Sequence, residues 1–350
     1  MEILSSSDRD IEKAAAALAA GALVAFPTET VYGLGGDAFN PPVLARIFEA
    51  KNRPFFDPLI IHIADLFALS RLVDDALLSA KAKERLSVLS ARLWPGPLTL
   101  VLPKRREVPD LATAGLPTAA IRFPSHETAQ KLIRLSTGAV AAPSANPFGY
   151  LSPTRAEHVI SQLSAKADFI IDGGRTELGV ESTVLDICGD TPRILRPGGV
   201  SREAIETLIG KTEPGKAEIG KAEIGSDDGG AGAQLSPGRL KSHYAPLTPI
   251  VLHGRGELAF LPDMPGEGRL YFSSPVGAKG AANGGPRNFP PERTRTLSES
   301  GELTEAAANL FDMLHELDEM GLSLIRAEEV PGRGLGEAIN DRLRRARQKP

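Results

Sequence analysis

The chain has 350 residues, 42% of them hydrophobic, which is enough to bury one large core or two ordinary ones. A formal net charge of -4 excludes a bulk electrostatic footprint for nucleic acid but leaves room for a local basic pocket. Cys188 is the single cysteine, which excludes internal disulfides and cysteine-rich metal sites. Neither a cationic-then-apolar leader at Met1 to Ser5 nor an apolar run of about twenty residues is present, so a soluble, cytoplasmic protein with no membrane segment is expected.

In chain order, Ser7 or Asp8 can cap a helix from Arg9 to Ala20, which Gly21 ends. The run Leu23-Val24-Ala25-Phe26 reads as a strand that enters a Thr/Gly loop. Pro41 and Pro42 suit the first turn of a helix through Ala50, because the N–H that proline lacks is unpaired there anyway. Leu59 to Ile63 is a second strand, followed by helical segments across Phe67 to Leu93. Trp94-Pro95-Gly96-Pro97 forms a rigid turn into a strand over Leu98 to Leu102. Ala119 to Phe123 and Ala139 to Ala142 are further strands, with a helix over Thr128 to Ser136 between them. Thr154 with Glu157 is a capping box for the next helix. Phe169 to Asp172, Thr183 to Ile187 and Arg193 to Arg196 complete about eight short strands. Alternating elements indicate an α/β class, and the hairpin-like spacing near the end predicts a mixed sheet.

Composition changes after Gly210. Lys216 to Gly220 is repeated at once as Lys221 to Gly225, and Asp, Gly and Ala follow through Ala233, the composition of a flexible linker. The division is a first domain over 1–210, a linker over 211–248, and a second α/β unit over 249–350. In that last unit, strands are expected at Ile250 to Leu252, Leu270 to Phe272 and Leu322 to Ile325. Helices are expected over Leu303 to Met320 and Leu335 to Gln348, and Gly277 to Arg295 reads as a loop.

The chemistry concentrates in a few places. Lys51 and Arg53 follow the Pro41 helix, Arg122 ends a strand and Arg196 ends another; cations in such settings supply charge-assisted hydrogen bonds to carboxylates and phosphates. Pro143-Ser144-Ala145-Asn146-Pro147 offers small residues and hydroxyl and amide groups against backbone, and an ordinary turn reads the same way. Ser182, in Gly179-Val180-Glu181-Ser182-Thr183, lacks a nucleophile-elbow context and an assignable His/Asp partner, so it reads as a ligand contact. His62 stands in an apolar strand, where a histidine is more often a satisfied core residue. The histidines show no metal-ligand spacing, and any metal is expected to arrive with substrate phosphates as magnesium does.

Taken together, these stretches resemble the threonylcarbamoyl-AMP synthase family in its long form, a YrdC-like domain with a C-terminal extension. The matching segments are Phe26 to Asp37, Lys51-x-Arg53-Pro54, Pro58-Leu59-Ile60-x-His62, Trp94 to Thr99, Arg122-x-Pro124, Ala142 to Asn146, Gly179-x-Glu181-Ser182-Thr183 and Arg196-x-Gly198. Ser236-Pro237-Gly238 through His243-Tyr244-Ala245-Pro246 matches the long form specifically. The resemblance implies a YrdC-like twisted mixed open sheet around a concave cavity, with an active-site lid within the linker 211–248 and a smaller Rossmann-like C-terminal domain. It implies synthesis of L-threonylcarbamoyl-AMP and pyrophosphate from L-threonine, bicarbonate and ATP with Mg2+, for delivery to the tRNA threonylcarbamoyl-transfer machinery. A tRNA contact is possible on the same reading. Thr30, His62, Arg122, Ala142 and Ser182 would hold threonine. Lys51, Arg53, Asp57, Thr118, Ser144, Ser152, Arg196 and Tyr244 would hold ATP, with Lys51, Arg53 and Arg122 as the catalytic cations. Asp57 departs from the family's usual Asn. Three competing readings are an RNA-binding module, disfavoured by scarce aromatic stacking platforms, a carbamoyl-phosphate-dependent adenylating domain, whose usual accessory segments are absent, and a purely structural protein, which leaves four cations at strand or helix ends unexplained.

Overall fold

The computed structural model of the protein describes residues 1–163, 166–215, 244–273 and 290–347. The repeat at 216–225, the stretch from Ser236 to His243 and most of the expected loop from Gly277 lie outside the described residues. Two sheets organise the rest. The larger contains β1 (Glu2–Ser5), β2 (Val24–Phe26), β3 (Gly33–Asp37), β4 (Ile60–Ile63), β5 (Leu98–Pro103) and β6 (Thr118–Arg122). It continues with β7 (Ala139–Ala141), β8 (Phe169–Asp172), β9 (Thr183–Asp186), β10 (Arg193–Arg196) and β11 (Glu213–Pro214). Their order across the sheet is β1-β8-β2-β3-β7-β4-β6-β5-β9-β10-β11, with parallel and antiparallel pairs mixed. The smaller sheet, β12 (Ile250–His253), β13 (Glu267–Ser273), β14 (Thr294–Ser298) and β15 (Leu324–Glu328), has the order β12-β15-β13-β14, and every pair in it is parallel. Both units are α/β, as expected, and among the described residues no helix is long and apolar enough to cross a membrane.

Local chemistry accounts for most element ends. The Ser7 side chain accepts from Asp10 N and caps the helix Asp8–Ala19; Asn40 caps Pro41–Lys51, with the two prolines in its first turn. Four strands escape the sequence reading: β1, β3, β11 and β14. The Thr/Gly loop after β2 is in part β3, whose three glycines argue against a strand by propensity. They are there for packing. A Cβ on Gly35 would come within 2.6 Å of Phe26 Cε1, and one on Gly36 within 2.5 Å of Val43 Cγ1. The capping box at Thr154 does not form either. The helix there is Ala156–Leu163, and the Thr154 hydroxyl instead donates to Asp312 of the second unit.

The sheet positions the site through its strand ends. β4 and β6 run parallel with His62 opposite Arg122, and β7 lies antiparallel to β4. An isolated bridge between Gly33 and Ser144 ties the end of the β2–β3 turn to the loop after β7. These ends, together with those of β9 and β10, face one concavity.

The two units share an apolar seam. Val31, Leu151, Val180 and Tyr244 belong to the same buried cluster as Leu270, Phe311 and Leu314 of the smaller unit. Close approach at this seam needs Gly179, at φ +65°, because a Cβ there would sit 2.5 Å from the carbonyl oxygens of Ala307 and Ala308.

Candidate active site

The concavity encloses about 530 Å³ of empty space, part of it open to solvent. Arg53, Arg122 and Arg196 reach it from three separate segments and stand with His62, Ser144 and Ser182 on its wall. Ala142, Pro143 and Gly33 bring backbone to the surface, and Tyr244 closes one side. All three guanidinium groups are buried, at 7%, 4% and 5% exposure, so each was taken out of water and held at a cost that its partners offset.

Arg53 donates from Nε to the Asp57 carbonyl (3.0 Å) and from Nη2 to the Pro58 carbonyl (2.8 Å), and lies 2.9 Å from Asp57 Oδ2. Burial pushes the Asp57 carboxyl up to about 6, against the pull of Arg53, Arg196 and Lys51. Arg196 donates from Nε and Nη2 to the Ser182 carbonyl at 3.2 and 3.0 Å, and the Ser182 hydroxyl lies 2.8 Å from Thr99 Oγ1. The chain turns so tightly beneath Ser182 that a Cβ on Gly198 would sit 2.3 Å from the Ser182 carbonyl carbon. His62 is held neutral: burial, then the adjacent Arg122 charge, lowers its pKa to about 3. An imidazole of that kind offers hydrogen bonds at neutral pH but is no proton store.

A second layer supports the wall. Lys51, 1% exposed, donates its ammonium to the backbone carbonyls of Ser144 and Asn146. Burial, and then the charge of Arg53, draws its pKa well below the usual lysine value. The Ser152 hydroxyl donates to Glu181 Oε1 at 2.6 Å, and Thr30 Oγ1 lies 2.8 Å from that of Thr28. Arg122 Nη2 lies 2.8 Å from Glu29 Oε1.

The smaller unit completes the site. Arg342, on the helix Gly336–Ala346, donates from Nε to Glu181 Oε2 at 2.8 Å, and its guanidinium carbon sits 5.1 Å from the centre of the Tyr244 ring. Burial works to raise the Glu181 pKa, but Arg342 and Arg196 together hold it below the ordinary value. Tyr244 itself stands at φ +62°, with its ring 5.8 Å from that of Phe311.

Of the residues singled out in the sequence, Arg53, His62, Arg122, Ala142, Ser144, Ser182, Arg196 and Tyr244 meet on the cavity wall. Lys51, Asp57, Thr30 and Ser152 lie one contact behind it. Thr118 is placed elsewhere, at the start of β6 and four residues from Arg122, where it pairs with Pro103. The carboxylates Glu29 and Glu181 and the distant Arg342 carried no assignment in the sequence reading. The usable signal for the first two was that a buried arginine needs a counter-charge; nothing distinguished Arg342 from the other arginines on its helix.

Such a wall can bind and orient small anions; among the described residues it has no cluster of three His, Cys, Asp or Glu side chains suited to a metal. Comparison with known proteins points the same way. The Sua5/YciO/YrdC family model, described as "Telomere recombination", matches residues 16–198, and the model for the threonylcarbamoyl-AMP synthase C-terminal domain matches residues 200–347. Threonylcarbamoyl-AMP synthase of Pyrococcus abyssi is 42% identical over 96% of this chain and 93% of its own length. The Bacillus subtilis enzyme of that name is 40% identical over 98% of this chain and 94% of its own. The crystal structure of P. abyssi Sua5 complexed with L-threonine superposes with a TM-score of 0.84 at 39% identity, covering 99% of this chain and 98% of that one. Arginines converging on one hollow of a mixed sheet, family models that together match residues 16–198 and 200–347, and relatives 40% and 42% identical over almost the whole chain assign this chain to the threonylcarbamoyl-AMP synthase family.

Proposed function

We propose that the protein condenses L-threonine, bicarbonate and ATP into L-threonylcarbamoyl-AMP and pyrophosphate, acting as a nucleotidyltransferase. The observation that carries this reading is the meeting of Arg53, Arg122 and Arg196 on one cavity wall beside neutral His62 and the Ser182 loop. The amine of threonine and bicarbonate give a carbamate with loss of water. A carbamate oxygen then forms a bond to the α-phosphorus as the bond to the departing pyrophosphate breaks. Neither step needs a protein nucleophile. Both need proximity, dryness and positive charge where negative charge develops.

Arg122 faces the threonine carboxylate in this reading, with His62 and Ser182 beside it and the Ala142 backbone along the same wall. Arg53 and Arg196, with Ser144 and Tyr244, face the nucleotide. Lys51, Asp57 and Ser152 act through the wall residues they hold, and Thr118, set away from the cavity wall, is assigned to ATP on the resemblance alone. Mg2+ fits as part of the bound nucleotide, held by phosphates and water, since the carboxylate closest in chemistry, Asp57, is already paired with Arg53. When bound it would neutralise phosphate charge; Asp57, in place of an amide, would be the residue most sensitive to it. The product passes to the tRNA threonylcarbamoyl-transfer machinery, with a direct tRNA contact part of the same proposal, and the work belongs in the cytoplasm.

The test is a product assay with threonine, bicarbonate, ATP and magnesium, each omitted in turn. Pyrophosphate release that needs every component, with threonylcarbamoyl-AMP identified by mass, is the expected result. Release that is indifferent to threonine would overturn it.

A further inference from the structure

Arg122 has a buried counter-charge in Glu29, and this pair has an unusual character. The two groups are 5% and 3% exposed and stand 2.8 Å apart. Yet neither carboxylate oxygen of Glu29 makes a hydrogen bond among the described residues, and neither do Nε and Nη2 of Arg122. The contact is a close ion pair out of hydrogen-bond alignment, made by a guanidinium that lines the cavity. A buried polar atom without a partner is costly, so such an arrangement persists where something else is served by it.

Glu29 does not hold its own loop through that carboxylate. The turn from Pro27 to Tyr32 is fixed by other atoms. Thr28 Oγ1 donates to the Val31 carbonyl (2.7 Å) and accepts from Thr30 N (3.2 Å). The Glu29 backbone carbonyl accepts from Leu178 N (2.9 Å), and Tyr32 N donates to the Pro153 carbonyl (2.8 Å). What remains for the side chain is its charge, paired with Arg122 at 2.8 Å and felt also by His126.

We propose that Glu29 is a positioning residue for the amino-acid carboxylate: it holds the Arg122 guanidinium at the cavity wall while leaving its donors free for the substrate. Arginine's planar fork is useful only when its plane is aligned with the incoming carboxylate. β6 fixes the Arg122 backbone between His62 and Thr99, but four side-chain torsions lie beyond it. A fixed negative charge restricts them. This inference rests on the threonine reading above and names a further residue within it.

The experiment uses the full chain and begins with the wild type, whose failure to release pyrophosphate with threonine would sink the threonine reading itself. With that activity in hand, Glu29→Gln removes the charge and keeps the shape. The expected outcome is a threonine KM raised tenfold or more, with the ATP KM changed less than twofold. Glu29→Ala should show the same loss, and millimolar formate, supplying a carboxylate in the vacated space, should restore at least a third of it; in Glu29→Gln the amide fills that space and formate should have no effect. An unchanged or lowered threonine KM in Glu29→Gln overturns the proposal. So does a parallel rise in both KM values with a lowered melting temperature, the signature of a merely structural side chain. If Glu29→Ala does not fold, the Glu29→Gln kinetics decide alone.

Discussion

The cavity and the seam behind it treat buried carboxylates in opposite ways. At the cavity, Glu29, Asp57 and Arg122 keep buried atoms with no hydrogen bond among the described residues, although each group has an ion-pair partner. At the seam the carboxylates are saturated. Glu181 takes the Ser152 hydroxyl and Arg342, and Asp312 takes Thr154, Arg155 and Arg175. His315 Nε2 sits 3.1 Å from the Ser152 carbonyl, with His158 stacked on its ring at 3.9 Å. Satisfied networks rigidify; unsatisfied ones wait for a partner. The seam therefore reads as the fixture that holds Ser152, Glu181 and Tyr244 in place, and the cavity as the part left open for ligands.

Breaking the fixture should cost most. Arg342→Ala leaves Glu181 with the Ser152 hydroxyl and the Arg196 charge but without its ion-pair partner, a loss of up to about 3–5 kcal/mol for a pair of this kind. A lowered midpoint in chemical denaturation, with nucleotide and threonine binding both weakened, is the expected result. A variant with unchanged stability would show that Glu181 finds another partner and that the seam is not rigid.

Next in size is the loss of a group that only the ligand completes. Arg122→Ala should cut threonine-dependent pyrophosphate formation by about 10²–10³-fold, the scale for removing one charge-stabilising donor. Its fold should survive, although Glu29 is then unpaired, so part of the loss will appear as lower stability. Normal threonine saturation in this variant would place the carboxylate elsewhere.

The contrast also explains how much the sequence disclosed. The arginines were readable because Arg53, Arg122 and Arg196 sit at strand or helix ends, cations recurring in like settings along the chain. Strands such as β5, Leu-Thr-Leu-Val-Leu-Pro, were readable from continuous apolar runs. β3 was not, because its glycines are chosen by the Phe26 and Val43 side chains that lie against them, a constraint that exists only in three dimensions. The same holds for Thr154. Its spacing to Glu157 is that of a cap, but Asp312, distant in sequence, claims the hydroxyl. Arg342 was hidden for a related reason: a basic helix shows its charge in sequence, but not which arginine turns inward.

The smallest expected effect is also the sharpest probe of the seam. Burial, then the neighbouring His315, lowers His158 to about 3, with Asp312 opposing and Arg155 assisting; burial likewise lowers His315, opposed by the Ser152 carbonyl, Asp312 and Asp318. Both rings are therefore neutral when the units are docked and have an ordinary pKa near 6.5 when they part. Below that value the unfolded chain binds more protons than the folded one, so stability present above pH 6.5 is lost as pH falls toward 3. The slope is at most about 1.4 kcal/mol per pH unit for each proton. Asp57 pulls the other way: its folded pKa, raised to about 6, means that protonation relieves a buried charge as pH drops through that value. The raw pH profile mixes these with His62, likewise buried and neutral, and the difference between wild type and His158→Gln isolates the seam ring. That difference should shrink steadily from pH 6.5 to pH 5, because the variant has no imidazole to protonate at that position. A constant difference over this range would mean that the stacked rings open to solvent in the folded state, and that the seam is as unsaturated as the cavity it supports.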